Sequence, residues 1–213
     1  MSFPTFFPDA TKGVVRACDS KDLESSKIEG IIVNTYHLLK NPGIKVLNKL
    51  EGIQNFNKWK NIVISDSGGF QLLSMVSKDS NLGEITENGI LFKDEKEEIL
   101  FTPELCIQTQ FAINSDIMIC LDYCPSEIPT EEEVKKSVDI TIAWAKRCKD
   151  EYERIINEKG LSDDDRPLLF GVIQGGDSKK ERLRCATSLI EIGFDGYGFG
   201  GWPLDSKGKL NDE

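Results

Sequence analysis

The chain holds a single histidine, His37, among 213 residues, and its six cysteines (Cys18, Cys106, Cys120, Cys124, Cys148 and Cys185) are scattered with no Cys-x-x-Cys pair. These shortages exclude a zinc knuckle and a disulfide framework within these residues, and they leave reduced, mostly buried thiols. No apolar run approaches the roughly 20 residues of a membrane span. The start, Met1-Ser2-Phe3-Pro4, lacks the basic region and apolar core of a secretory signal. The expected location is therefore cytoplasmic, with no membrane partner. Basic residues are short as well: 26 Lys and Arg stand against 36 Asp and Glu, and the net charge of −10 repels a nucleic-acid backbone unless cations cluster locally. What is present, 39% apolar and 29% charged residues, suits one globular domain with a sizeable core.

The clearest local signal is Ile62-Val63-Ile64-Ser65 followed by Asp66-Ser67-Gly68-Gly69. A mostly β-branched run predicts a buried strand, and the polar and glycine residues after it predict a tight turn, which places Asp66 at the strand's carboxyl end. The same pattern recurs. Gly30 to Asn34 reads as a strand, then a helical turn from Thr35 to Lys40 stopped by Asn41-Pro42-Gly43. Asp116 to Asp122 reads as a strand after a helix opened by Thr102-Pro103-Glu104. Leu168 to Ile173 runs into Gln174-Gly175-Gly176, and Phe194 to Phe199 runs into Gly200-Gly201. Helices are predicted over Asp19 to Ser26, Ile44 to Leu50, Ser178 to Ile192, and from Glu131 to about Lys159, the last with Val134, Val138, Ile142, Ala145 and Cys148 on one face. Asn88-Gly89, between Ile85 and Ile90-Leu91-Phe92, predicts an antiparallel hairpin, and Phe3 to Pro8 is too proline-rich for a central strand.

Alternating strands and helices imply parallel strands whose carboxyl ends share one side. Asn34, Asp66, Asp122, Gln174 and Gly200-Gly201 would then ring one mouth of a sheet or barrel. That ring offers two carboxylate acceptors, an amide that donates and accepts, and glycine N–H donors. It fits a planar heterocycle with adjacent N–H groups and a carbonyl, guanine being one example, with Phe70 placed to stack on it. Composition alone fits other polar ring compounds or a sugar as well. His37 falls in a helical turn, away from the strand ends, which suits packing better than catalysis.

The ordered set Asn34-Thr35-Tyr36-His37-Leu38-Leu39, Asn41-Pro42-Gly43, Ser65-Asp66-Ser67-Gly68-Gly69-Phe70-Gln71, Thr102-Pro103-Glu104, Asp116-Ile117-Met118, Asp122-Tyr123-Cys124, Gly171-Val172-Ile173-Gln174-Gly175-Gly176 and Gly193-Phe194-Asp195-Gly196-Tyr197 resembles the tRNA-guanine transglycosylase family. The resemblance implies a TIM-type (β/α) barrel and a pentosyltransferase that exchanges guanine in tRNA for a 7-deazaguanine base, toward queuosine or archaeosine. It assigns proton transfer to Asp66, the base-binding loop to Ser67, Gly68, Gly69 and Phe70, the N1 and amino edge to Asp122, and the base carbonyl to Gln174 and Gly201, next to Gly200. Asn34 would stand behind these contacts, and Cys124 lies close enough in sequence to Asp122 to join them.

The family's nucleophilic aspartate, its zinc site of Cys-x-Cys-x-x-Cys plus His, and its tRNA-gripping subdomain are expected on later segments than Glu213. The resemblance therefore implies an incomplete barrel over residues 1–213, with an inserted hairpin, two open sheet edges and no activity by itself. Trp202-Pro203-Leu204-Asp205 departs from the small aliphatic residues usual after the family's double glycine, which bears on the pocket wall for the 7-substituent. A second expectation of another class is a non-catalytic barrel subunit that partners a catalytic homologue, as a homo- or heterodimer.

Overall fold

A computed structural model describes residues 4–93 and 98–202. The chain runs α1 (Ser20–Ser25), β1 (Gly30–Asn34), α2 (Thr35–Lys40), α3 (Ile44–Lys49), α4 (Ile53–Asn57), β2 (Ile62–Asp66) and α5 (Gly69–Lys78). Then come β3 (Gly83–Thr86), β4 (Gly89–Lys93), β5 (Glu98–Phe101), α6 (Pro103–Ile113), β6 (Ile117–Ile119), α7 (Glu131–Lys159), β7 (Leu168–Ile173), α8 (Lys179–Ile192) and β8 (Gly196–Phe199). The first sheet has the order β1-β2-β6-β7-β8 and every pairing in it is parallel. The second is antiparallel, β3-β4-β5, with β3 and β4 joined through Glu87-Asn88.

Local chemistry explains where the helices begin and end. Asp19 and Asp22 form a reciprocal capping box on α1, and Thr130 and Glu133 form another on α7. Pro103 starts α6 behind its Thr102 cap, where a missing N–H costs nothing. Gly160 ends α7 with a φ of +64°, a left-handed turn that glycine adopts without strain.

Three apolar clusters hold the elements together. Trp144 and Cys148 of α7, Ile107 of α6, Met118 of β6, Leu169 of β7 and Phe101 of β5 belong to the largest. Ile31, Val33 and Val63 of β1 and β2 pack with Leu38, Leu47 and Ile113 in the second, and Val138, Ala145, Cys185 and Leu189 join α7 to α8. Each fully buried aliphatic side chain here contributes roughly 1.5–3 kcal/mol. The antiparallel sheet is fastened to α7 by its turn: Trp144 Nε1 donates to the Glu87 carbonyl at 2.9 Å, and Arg147 donates to the Glu87 and Asn88 carbonyls at 3.1 Å while clasping Glu104 at 2.7 Å through two nitrogens.

Four features differ from the sequence reading. β6 stops at Ile119 and not at Asp122: the last β2–β6 register pair is Ser65 with Met118, because β2 turns into α5 there and leaves β6 without a neighbour on that side. An additional short helix, α4, lies between α3 and β2, and β5 adds a third strand to the antiparallel sheet. The outer edge of β1 is also covered. Ala10 N–H donates to Ile32 O at 2.7 Å, Ile32 N–H to Pro8 O at 3.0 Å and Asn34 N–H to Thr11 O at 3.1 Å. Pro8 is accommodated because it supplies only its carbonyl, which is all this edge position requires. Phe3 and Pro203 to Asp205 lie outside the described residues.

Candidate functional site

Asn34 and Asp66 are Cα partners in the parallel register, so they leave the sheet side by side. Asn34 Nδ2 donates to Asp66 Oδ2 at 3.1 Å, and its Oδ1 accepts the His37 N–H at 3.1 Å and caps α2. The Thr35 hydroxyl donates to the Asp66 carbonyl at 2.5 Å. Burial pushes the Asp66 carboxyl above its ordinary range, against the N–H of Gly68, the Asn34 amide and the N–H of Ser67, which favour the charged form; the charge of Asp9 adds to the rise.

The turn after Asp66 is tightly confined. Gly68 has a φ of +78°, and a Cβ there would stand 2.6 Å from Tyr36 N and 2.7 Å from Tyr36 Cβ. A Cβ on Gly69 would stand 2.6 Å from Leu121 Cδ1. The turn is therefore held between α2 and the residue that precedes Asp122. Ser67 is buried, with its Oγ accepting the Gly69 N–H at 3.2 Å. Phe70, the aromatic placed to stack on a base, is 39% exposed and meets Trp202 edge-on, ring centroids 5.0 Å apart. Trp202 Nε1 donates to Pro125 O at 3.0 Å, linking the end of β8 to the loop after Asp122.

Asp122 sits three residues past β6, and its Oδ2 accepts from Gln174 Nε2 at 2.6 Å. Burial raises its pKa from the ordinary 3.8 to about 6; the Gln174 hydrogen bond and its own N–H oppose the rise, and the Asp66 charge adds to it. The two carboxylates therefore act in one electrostatic field. Gln174 is 1% exposed, and its Oε1 has no hydrogen-bond partner among the described residues. Gly200 passes against this amide so closely that a Cβ would lie 2.3 Å from Gln174 Nε2. Gly201, with a φ of +134°, adopts a conformation L side chains avoid. Cys124 is buried, and burial together with the Asp122 charge pushes its thiol up to about 11, so it stays protonated and unreactive at neutral pH.

Two further residues organise this mouth, and neither was singled out from sequence. Arg182 of α8 donates through Nε to Gly176 O at 2.7 Å, through Nη1 to Ile173 O at 3.3 Å, and through both terminal nitrogens to Gly200 O at 3.1 Å, with its guanidinium 4.0 Å from the Phe199 ring centroid. It pins the ends of β7 and β8 to each other. Gln110 of α6 is completely buried and bonds to β2 and β6. Its signal was a polar residue among the apolar positions of a helix; Arg182 gave none, since an arginine on a charged helix reads as surface.

The sequence pattern of the family described as queuine tRNA-ribosyltransferase matches residues 1–211. The chain belongs to that family. Among curated queuine tRNA-ribosyltransferases it is similar to the protein of Methylacidiphilum infernorum (isolate V4), 38% identical over 204 residues that cover 93% of this chain and 52% of the relative. It is similar also to that of Acinetobacter baumannii (strain ACICU), 35% identical over 200 residues that cover 93% and 50%. The chain thus spans about half the length of these relatives. Among the described residues no group of three or more His, Cys, Asp and Glu could hold a metal ion, and no helix is long and apolar enough to cross a membrane.

Proposed function

We propose that this queuine tRNA-ribosyltransferase family chain supplies the base-binding part of a (β/α) barrel that exchanges guanine in tRNA for a 7-deazaguanine base. The observation that carries the reading is the Asp122–Gln174 pair at 2.6 Å, buried and incompletely satisfied. A buried carbonyl oxygen left without a donor costs roughly 1–3 kcal/mol, which a ligand N–H would recover. Guanine presents adjacent N–H donors at N1 and its 2-amino group for Asp122 and Gln174 Oε1. Its O6 accepts from the second Nε2 hydrogen of Gln174 and from the Gly201 N–H. Asp66 carries the proton to or from the departing and arriving base, its pKa raised by burial in the direction that favours holding a proton. The resemblance assigns attack on the sugar to an aspartate on a later strand, and a zinc site to a later subdomain that grips tRNA.

Two measurements test the proposal. Titration calorimetry with guanine should show binding to the wild-type chain and about ten- to a hundredfold weaker binding to Asp122→Asn, the loss expected for one hydrogen bond to a charged group. Equal affinity would reject the assignment. Radiolabelled guanine exchange into tRNA then tests the reaction: guanine binding without exchange in a full-length polypeptide of this family carrying these residues would favour the non-catalytic subunit.

A further inference from the structure

We propose that Gln110 is a positioning residue for base binding: one buried amide ties down the residues on both sides of Asp66, Ser65 through its hydroxyl and Ser67 through Cys106, and the strand that leads to Asp122. The proposal rests on the base-binding reading above and extends it to a residue that touches no ligand.

All four hydrogen-bonding positions of the amide are occupied. Gln110 Oε1 accepts the Ser65 hydroxyl at 2.6 Å and the Ile119 N–H at 2.9 Å; Nε2 donates to Ile119 O at 3.0 Å and to Cys106 Sγ at 3.1 Å. Cys106 Sγ in turn donates to the Ser67 carbonyl at 3.5 Å. Burial holds the Cys106 thiol far above its ordinary range, so its proton is retained for that contact. Ser65 precedes Asp66 and Ser67 follows it. The carboxylate is therefore bracketed by two links that converge on one side chain, itself fixed because Gln110 and Cys106 are one helical turn apart in α6.

The same amide replaces a strand. Ile119 follows the last β2–β6 register pair and would have an unanswered N–H and carbonyl where β2 departs. Gln110 answers both, as a neighbouring peptide would, and so sets the direction in which the chain continues to Asp122. An apolar side chain of the same length would fill the space and leave Ser65, Ile119 and Cys106 to find other partners. Rotation of Ser65 or Ser67 would tilt Asp66, and release of Ile119 would let Asp122 drift from Gln174.

The test compares Gln110→Met, Cys106→Ala and Ser65→Ala with Leu189→Ala, a control at a fully buried residue of the α7–α8 cluster. Two readouts are followed: guanine affinity by calorimetry, and the titration of the Asp66 carboxyl by carbon NMR in the absence of ligand. Expected are a tenfold or greater loss of affinity and a displaced Asp66 titration for Gln110→Met. The two single-link variants should show smaller shifts of the same kind, and Leu189→Ala should lose thermal stability with neither readout moved. Wild-type affinity and an unmoved Asp66 titration in Gln110→Met would overturn the proposal, as would equal effects in Leu189→Ala, which would mean general loosening. If Gln110→Met fails to fold, the single-link variants decide, unmoved readouts in both counting against it. If the wild-type chain binds no guanine, the base-binding reading fails, and the ligand-free titration still decides whether Gln110 positions Asp66.

Discussion

At the scale of single residues, Asp122 has the most consequential environment. Its carboxyl is shifted upward by burial, to about 6, so between its ordinary 3.8 and that value the folded chain binds more protons than the unfolded one. Stability from this group is complete below the lower value and is lost as pH rises through the upper one. Asp122→Asn has no charge to bury, so its melting temperature should gain on wild type as pH is raised from 4 to about 7, and the gain should level off above that. A difference in melting temperature that does not change with pH would contradict the assignment. Asn34, Asp66 and Gln174 were legible in the sequence because a polar residue that closes an apolar run needs a strand end. Asp122 was legible as a residue but not in its place, three positions beyond a strand that loses its neighbour early. The Asp122–Gln174 contact joins residues 52 apart, and nothing local announces it.

At the scale of elements, the turn from β2 into α5 depends on Gly68. Left-handed backbone costs an L residue about 1–2 kcal/mol, and the added Cβ would meet Tyr36 backbone and side chain at 2.6 and 2.7 Å, with α2 fixed behind it by its Asn34 cap. Gly68→Ala should therefore lose about 2–4 kcal/mol in urea unfolding, with a loss under about 1 kcal/mol showing that the turn can move away. The sequence showed this element well, since Asp-Ser-Gly-Gly has few readings other than a turn. It also showed the hairpin of β3 and β4, one residue late: the turn is Glu87-Asn88, and Gly89 opens β4. It did not show β5, whose Glu98-Ile99-Leu100-Phe101 is short and follows a charged run, and its reading of Phe3 to Pro8 as too proline-rich for a central strand did not reveal the edge pairing of Pro8 to Thr11 with β1. The exclusion concerns central strands, and an edge asks proline only for its carbonyl.

At the scale of the whole molecule, one side of the parallel sheet is open. Among the described residues β8 pairs only with β7, and Phe199 of β8 with Leu183 and Ile190 of α8 are 77%, 69% and 64% exposed. An unpaired strand edge and exposed apolar side chains each invite another chain. The chain should therefore associate as its concentration rises, and the double variant Leu183→Lys/Ile190→Lys should remain a single species in sedimentation velocity. Association unchanged in that variant would place the contact elsewhere. The covered edge of β1 limits how far this goes. A sheet that can be joined at both rims grows without end, whereas one sealed by Pro8 to Thr11 has a single adhesive border, and two such borders consume each other when they meet. Assembly should consequently stop at two copies: the open β8 border gives the tendency to pair, and three backbone hydrogen bonds on the β1 side limit its extent.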